Sequence, residues 1–524
     1  MTIMKNIFKI SFALAAVLGL ASCDMNKRPY SVIDPENALE SPADAAKLSN
    51  GLHTQVRSLA VGSVNYYPEI QADIFHATTN YGNRGGQIYR WAFDATDSDF
   101  SSIWLSCYSS IANANYFLEK AASVQERVST DADFAANWAD KDLSLLKGQI
   151  SEAYFVRAYA YSILLDRFCP AYTEENENKE DLGLAIVTKY EPTSDKGKYQ
   201  GRSTLKASYE FILEDLEAAE ENIELAHASA AGSKYITLDA VRALRARVAL
   251  LCQDYAQAIQ DATGIINSGI YALTGTAEGL SALWVNDNTL SECIMQSSVA
   301  LTTEVPGTNN YGYIGFNYAK NIYNPDFIPE QWLVDLYSDD DLRKAVYFKK
   351  TELTQSAGVT EPLYIFNKFC GNPAMQTAPS DVNYQNAPKP FRLAELYLIA
   401  AEAYLKSGLS TGVSEGSKLL NELKSKRITG WEEKLYSQAE LQTELKNERV
   451  RELVGEGFRL SDLKRYGNGF SRSASQDKTA ISLPGQSSTE NLSKSADDYR
   501  FVWPIPVAET DANPNIKQNT GYTN

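Results

Sequence analysis

The sequence predicts a mostly α-helical fold, in which helix pairs form a single large domain broken by long irregular loop insertions and minor short strands. Apolar residues recur with the period of a helix over Ala38 to Arg57, Phe100 to Val124, Leu143 to Phe168, Ser203 to Ala226 and Leu238 to Ile266. The same period returns over Phe391 to Lys406, Ser414 to Arg427 and Gln438 to Leu463. Several of these helices come as neighbouring pairs, with small residues where two would cross. The stretches between them, Asn65 to Thr96, Ala272 to Pro329 and Thr351 to Pro390, are rich in Gly, Asn, Pro, Tyr and Thr. Loops of that length are functional or packed as a subdomain.

Met1 to Lys9 carries two lysines, Ile10 to Leu20 is apolar, and Leu20-Ala21-Ser22-Cys23 closes the run. A charged start, a brief apolar stretch and small residues before a cut describe a secretory signal over residues 1–22. The apolar run is too short to span a bilayer. The cysteine at the cut resembles the lipobox of bacterial lipoproteins, which implies that Cys23 becomes the lipidated first residue and that residues 23–37 form a tether. Residues 38–270 then make an N-terminal helical part. Within it, Val241 to Leu251 leads into Tyr255, Ala258 and Ala262. This resembles a tetratricopeptide pair, where Ala lets two helices approach and Tyr fills the gap. Gln149 to Phe168 and Arg392 to Arg427 look like weaker copies. Residues 271–390 form the loop-rich insertion, with Ser291 to Ser297 as a short strand. Residues 391–524 hold a further helix pair, a charged helix and an extended tail.

A body of about 500 residues buries a large core, and a net charge of -17 argues against nucleic acid, whose phosphates it would repel. Besides Cys23 the cysteines are Cys107, Cys169, Cys252, Cys293 and Cys370, an odd and scattered set that reads as small buried hydrophobes rather than a disulfide framework. The 31 tyrosines and seven tryptophans suit flat, hydroxyl-rich ligands such as sugars, and serve equally well in core packing.

The catalytic inventory is close to empty. His53, His76 and His227 are far apart in sequence, and neither HExxH nor Cys-x-x-Cys occurs, so the sequence predicts no metal site and no cofactor. Gly412-Val413-Ser414-Glu415-Gly416 matches G-x-S-x-G but joins two predicted helices, with no histidine downstream. Gly82-Asn83-Arg84-Gly85-Gly86 lacks the Lys-Ser/Thr of a P-loop. Among 66 acids nothing selects a hydrolytic pair.

Binding chemistry is better represented. Tyr81, Tyr89, Trp91 and Phe93 interleave with Asn83, Arg84, Arg90 and Asp94 in one irregular segment. Tyr311, Tyr313, Phe316, Tyr318 and Tyr323 lie with Asn317 and Asn321 in another. Aromatic faces stack on sugar rings while amides and charges bond hydroxyls. Trp104 and Trp284 read as core, and Trp332 and Trp431 as staples bordering helices.

The run from Asn447 to Tyr466 places Glu448 with Arg451, Arg449 with Glu452, Glu456 with Arg459 and Asp462 with Arg465. Glu448, Glu452 and Glu456 repeat at i+4, which is repulsive unless arginines lie between them. Gly455 and Gly457 interrupt the helix. The pattern predicts a fixed, partly buried ion network.

Arg392-Leu393-Ala394-Glu395-Leu396-Tyr397-Leu398-Ile399-Ala400-Ala401-Glu402-Ala403 resembles the R-x-AE-x-YL-x-x-AEA signature of the SusD/RagB family. The charged run resembles that family's ER-x-x-EL-x-x-EG-x-R-x-x-DL-x-R helix, and Trp503-Pro504-Ile505-Pro506 with Asn513-Pro514-Asn515 and Gln518-Asn519 its closing segment. The resemblance implies a non-catalytic glycan-binding lipoprotein on the outer membrane of Bacteroidetes, partnered by a SusC-like TonB-dependent transporter. It carries no binding residue over, because the family's binding aromatics lie in variable loops. The expected ligand contacts are therefore Trp91, Tyr81, Tyr89, Tyr311, Tyr313 and Tyr323, with Asp73 and Arg84 as polar partners. The alternatives are a tetratricopeptide-type receptor for peptides or proteins serving the same kind of transporter, and a glycoside hydrolase.

Overall fold

The computed structural model describes residues 38–288, 290–305, 308–355, 358–376, 384–472, 476 and 493–523, with Thr308, Asn309 and Tyr311 described for backbone only. Cys23 and the tether lie outside the described residues. The long helices are α1 (Pro42–Leu59), α2 (Ser63–Gln71), α3 (Ser98–Thr130), α4 (Asp140–Phe168), α5 (Leu205–Glu220), α6 (Leu238–Leu251) and α7 (Tyr255–Ile266). After the insertion come α8 (Leu393–Lys406), α9 (Gly412–Ser425), α10 (Gln438–Leu453) and α11 (Arg459–Arg465).

Local chemistry sets where they start. Ser41, Thr204, Thr237, Asp254 and Ser437 each accept a backbone N–H in the first turn of the following helix. Such caps satisfy donors that the helix leaves orphaned. At Ser437 the cap is reciprocal, because Glu440 reaches back to the Ser437 N–H.

Packing runs as a continuous stack: α3 on α4, α4 on α5, α5 on α6, α6 on α7, α7 on α8, and α8 on both α9 and α10. α6 and α7 pack on each other, and Ala240, Ala243, Ala246 and Ala249 of α6 and Ala258 and Ala262 of α7 are all buried. All but Ala240 belong to the tetratricopeptide-like run read from the sequence. The G-x-S-x-G match lies in the first turn of α9, where the Ser414 hydroxyl donates to the Thr411 carbonyl at 2.8 Å. The insertion contributes short two-stranded ladders. Its strand Cys293–Met295 pairs antiparallel with Phe391–Arg392 at the start of α8, stitching the insertion to the stack. Trp503 of the tail is fully buried against Phe100 and Phe168, and its indole N–H donates to Gln71 at 2.7 Å. Among the described residues no helix is long and apolar enough to cross a membrane.

The charged run is at the centre of this packing. The Glu452 carboxylate accepts from Arg343 at 2.8 Å, Arg392 at 2.5 Å and Arg427 at 3.0 and 3.1 Å, with no exposed surface. Arg343 also meets Glu448 (2.6 Å) and Asp341 (2.8 Å), while Arg392 meets Glu456 (2.7 Å) and Glu292 (3.2 Å). Arg427 shares Glu292 at 2.7 Å, and Lys368 donates to Glu456 at 2.6 Å. Of the four local pairs expected from spacing, Glu448–Arg451 and Asp462–Arg465 form, at 2.7 and 2.9 Å. The other two do not. Arg449 reaches Asp462 on α11, and Arg459 binds Asp73 beyond the helix break.

That break is built around Glu69 of α2. Its carboxylate accepts the backbone N–H groups of Gly455 (2.8 Å), Gly457 (2.9 Å) and Arg459 (3.2 Å). Turning those N–H groups inward needs φ of +82° at Gly455 and +88° at Gly457, a region that favours glycine. A Cβ on Gly455 would lie 2.7 Å from the Phe366 ring, and one on Gly457 2.9 Å from the Asn65 Cα.

Removing Glu452 leaves three guanidinium groups facing one another in the core. Glu452→Ala is expected to destabilise by about 3–5 kcal/mol, and thermal unfolding that matches the parent would overturn the structural role assigned here. Stability should also depend on acid. Burial raises Glu448, but Arg343, Arg451 and Lys424 outweigh it and hold the carboxyl at about 2, below the ordinary 4.5. Glu452 and Glu456 are lowered in the same way. Groups lowered on folding stabilise above their unfolded value and lose that contribution as pH falls through the folded one. Glu69 has the opposite sign: burial outweighs its three N–H donors and pushes it up to about 7, so its contribution is lost as pH rises. The melting temperature is expected to be highest near pH 4.5, to decline toward pH 7 as the Glu69 contribution is lost, and to fall steeply toward pH 2. A flat profile from pH 6 to 3 would contradict this.

Candidate ligand-binding surface

The two irregular segments singled out in the sequence meet in space. Phe75–Ala77 pairs antiparallel with Phe327–Pro329, Phe75 opposite Pro329 and Ala77 opposite Phe327. Beyond this ladder the chains stay joined: Asn80 Nδ2 donates to Asn324 Oδ1 at 3.0 Å, and Arg84 chelates Asp326 at 2.6 and 2.5 Å. Thr79 donates to Gln355 at 2.7 Å, adding a third strand-turn segment. Asp326 is buried beneath the guanidinium. Burial raises its carboxyl, and Arg84 pulls it back.

The outer layer of this junction is aromatic and cationic. Tyr81 is half-buried, its hydroxyl donating to Asn83 at 3.2 Å and held by Arg90. Phe316 and Tyr323 lie opposite each other on a two-residue ladder, ring centres 4.8 Å apart, with Tyr318 edge-on to Phe316 at 6.1 Å. The Lys349 ammonium sits 4.5 Å over the Tyr323 ring and bonds its hydroxyl. Tyr318 is 49% exposed. Half-exposed rings flanked by amides and cations can stack on an apolar sugar face while bonding its hydroxyls.

Other expected contacts are placed inside. Trp91 has 0% exposure and sits at φ +56°. Its indole N–H donates to the Gln71 carbonyl at 2.7 Å, and its ring packs on Phe501 at 4.8 Å and Phe470 at 5.5 Å. Tyr89 is buried under the Arg472 guanidinium, 3.9 Å from its ring. Tyr313 is buried among Phe75 (4.5 Å), Tyr66 (5.1 Å) and Phe366 (5.2 Å). These three rings have no face to offer a ligand and form the floor beneath the surface. Asp73 is committed to the Arg459 fork at 2.7 Å to both oxygens. Tyr311 lies on the short helix Thr308–Ile314, its side chain outside the described residues. Trp104 and Trp284 are core, as the sequence indicated. Lys349 was not foreseen: it belongs to the strand Phe348–Thr351, where no local pattern marks a lysine as leaning over a distant tyrosine.

A cavity of about 120 Å³ lies deeper, lined among others by Tyr66, Tyr159, Arg247, Trp284, Asn310 and Lys389. It is smaller than the roughly 300 Å³ at which ligand cavities usually begin. Arg247 there is already committed to Glu395 at 2.7 Å and to the Pro390 carbonyl. The part-exposed aromatic rings are therefore taken as the candidate site.

Comparison with known proteins matches this architecture. The model of the SusD family matches residues 345–522, and that described as starch-binding associating with outer membrane matches residues 26–250. The chain belongs to the SusD/RagB family. The stretch matched by the first of these models contains Lys368, Arg392, Arg427 and Glu452, so it includes much of the buried ion network. SusD-like protein P2 of Formosa agariphila is 23% identical, the alignment covering 98% of this chain and 99% of that protein. The starch-binding protein SusD of Bacteroides thetaiotaomicron is 33% identical over 27% of this chain and 23% of its own. A SusD superfamily crystal structure from Bacteroides thetaiotaomicron superposes with a TM-score of 0.74 at 25% identity, covering 91% of this chain and 99% of the other.

Floor and surface residues should behave differently. Trp91→Ala is expected to cost about 3–5 kcal/mol of stability, as for other large core deletions, whereas Tyr318→Ala should stay within about 0.5 kcal/mol. Denaturant unfolding of the two variants checks this; equal stability of Trp91→Ala and the parent would return Trp91 to the surface.

Proposed function

We propose that this protein is a non-catalytic, lipid-anchored glycan-binding protein of the outer-membrane surface, which captures oligosaccharides and delivers them to a SusC-like TonB-dependent transporter. The carrying observation is the junction that joins the two aromatic loops, one presenting half-buried Tyr81 beside Arg90 and the other Phe316, Tyr318 and Tyr323 beside Lys349. Family membership supports it, as do the outer-membrane and starch-binding descriptions of the second family model and of one relative. Acylation at Cys23 would hold the body at the membrane, each buried methylene adding roughly 0.8 kcal/mol.

Calorimetry and affinity electrophoresis against a glycan panel, with starch oligosaccharides included, test the reading. One glycan class is expected to bind, and Tyr318→Ala with Tyr323→Ala to weaken it at least about tenfold, consistent with the 1–3 kcal/mol that losing two aromatic faces costs. Melting temperature should be unchanged. Absence of binding to every glycan, or binding indifferent to both tyrosines, would sink the proposal. Co-purification with peptide instead would favour the peptide-receptor alternative.

A further inference from the structure

Folding brings two histidines that are distant in sequence onto one buried carboxylate. His53 lies on α1, Glu152 on α4, and His227 just beyond the short turn Ile223–Leu225 that follows α5. His53 Nε2 is 3.0 Å from Glu152 Oε1, and His227 Nε2 is 3.6 Å from the same oxygen. The three atoms all lie within 4.8 Å of one another. Glu152 Oε2 is held by the Ser49 hydroxyl at 2.6 Å. The Tyr235 ring stacks on His227 at 3.8 Å and meets His53 edge-on at 6.0 Å, fixing both imidazoles.

We infer that His53, Glu152 and His227 form a binding site for a first-row divalent cation, zinc first among them. A buried carboxylate is stabilised by hydrogen-bond donors and, more strongly, by a cation. Among the described residues, the ion-pair partners of Glu152 are these two imidazoles and no lysine or arginine. One histidine would suffice for a hydrogen-bonded pair; a second Nε2 only 3.6 Å from the same oxygen gathers the three donor atoms that a shared metal needs. Zinc holds nitrogen and oxygen ligands at about 2.0–2.2 Å in a tetrahedron, which puts ligand atoms roughly 3.3–3.5 Å apart. The observed 3.0 and 3.6 Å bracket that edge. Ser49 supplies the second contact that orients a metal-binding carboxylate. The imidazoles are 18% and 30% exposed, so ions can enter and water can fill the fourth position. Neutral imidazoles with one carboxylate favour zinc, nickel or copper over calcium and magnesium, which prefer oxygen. The bound ion would tie α1, α4 and the segment after α5 together. The expectation of no metal site rested on separation along the chain, which does not report separation in space.

The test uses untagged, EDTA-treated protein. Calorimetry with zinc chloride should give one ion per chain and a rise of several degrees in melting temperature. Cobalt(II) should develop the intense visible bands of a tetrahedral site. His227→Ala, at the more exposed ligand, should keep the fold by circular dichroism and lose at least tenfold in zinc affinity, and His53→Ala the same. No stoichiometric zinc binding by the parent, or undiminished binding in folded His227→Ala, would overturn the assignment. Neither readout depends on glycan binding.

Discussion

The Glu452 carboxylate gathers three guanidinium groups from three separate parts of the chain. Arg343 comes from the insertion, Arg392 from the start of α8 and Arg427 from the end of α9. Charges this deep are tolerated only when each is paired and hydrogen-bonded. The arrangement is consequently all-or-none: the insertion must dock on the helical stack before any of these groups is satisfied. Glu448, Glu456, Glu292 and Asp341 share the same cations, and Lys368 closes the edge by donating to the Glu452 and Val454 carbonyls at 3.1 and 3.0 Å. A helix pattern that would repel itself in isolation becomes the clamp of the molecule.

From this clamp the candidate surface is reached in two short steps. The turn after Glu452 presents its N–H groups to Glu69, and Arg459 takes Asp73, so the end of α2 and the strand that follows it are held against the network. That strand, Phe75–Ala77, is the one that pairs with Phe327–Pro329 and brings the aromatic loops together. Buried pairing below therefore supports the part-exposed side chains above, the usual division between scaffold and surface loop.

The aromatic richness of the chain serves both layers. Trp91, Tyr89 and Tyr313 are consumed as packing under the surface, while Tyr81, Phe316, Tyr318 and Tyr323 keep part of a ring outside. In an irregular segment no period separates the two sets, so residue type and loop location were readable but depth was not. The helical run Leu238 to Ile266 is a related case. Its tetratricopeptide-like alanines were legible, and the break at Cys252–Asp254 that divides α6 from α7 follows from the Asp254 cap.

What the sequence by itself determined was the helical stack, its alanine crossings and the need for a buried ion network, because periodicity, residue size and like-charge repulsion are local properties. It also marked the two aromatic-rich irregular segments that meet in space. Only the tertiary structure decided which arginine meets which glutamate, which aromatics face outward, and that His53 and His227 converge on Glu152. Those outcomes depend on contacts between residues far apart in the chain, where direction and depth are set by the packing of whole elements rather than by neighbours in sequence.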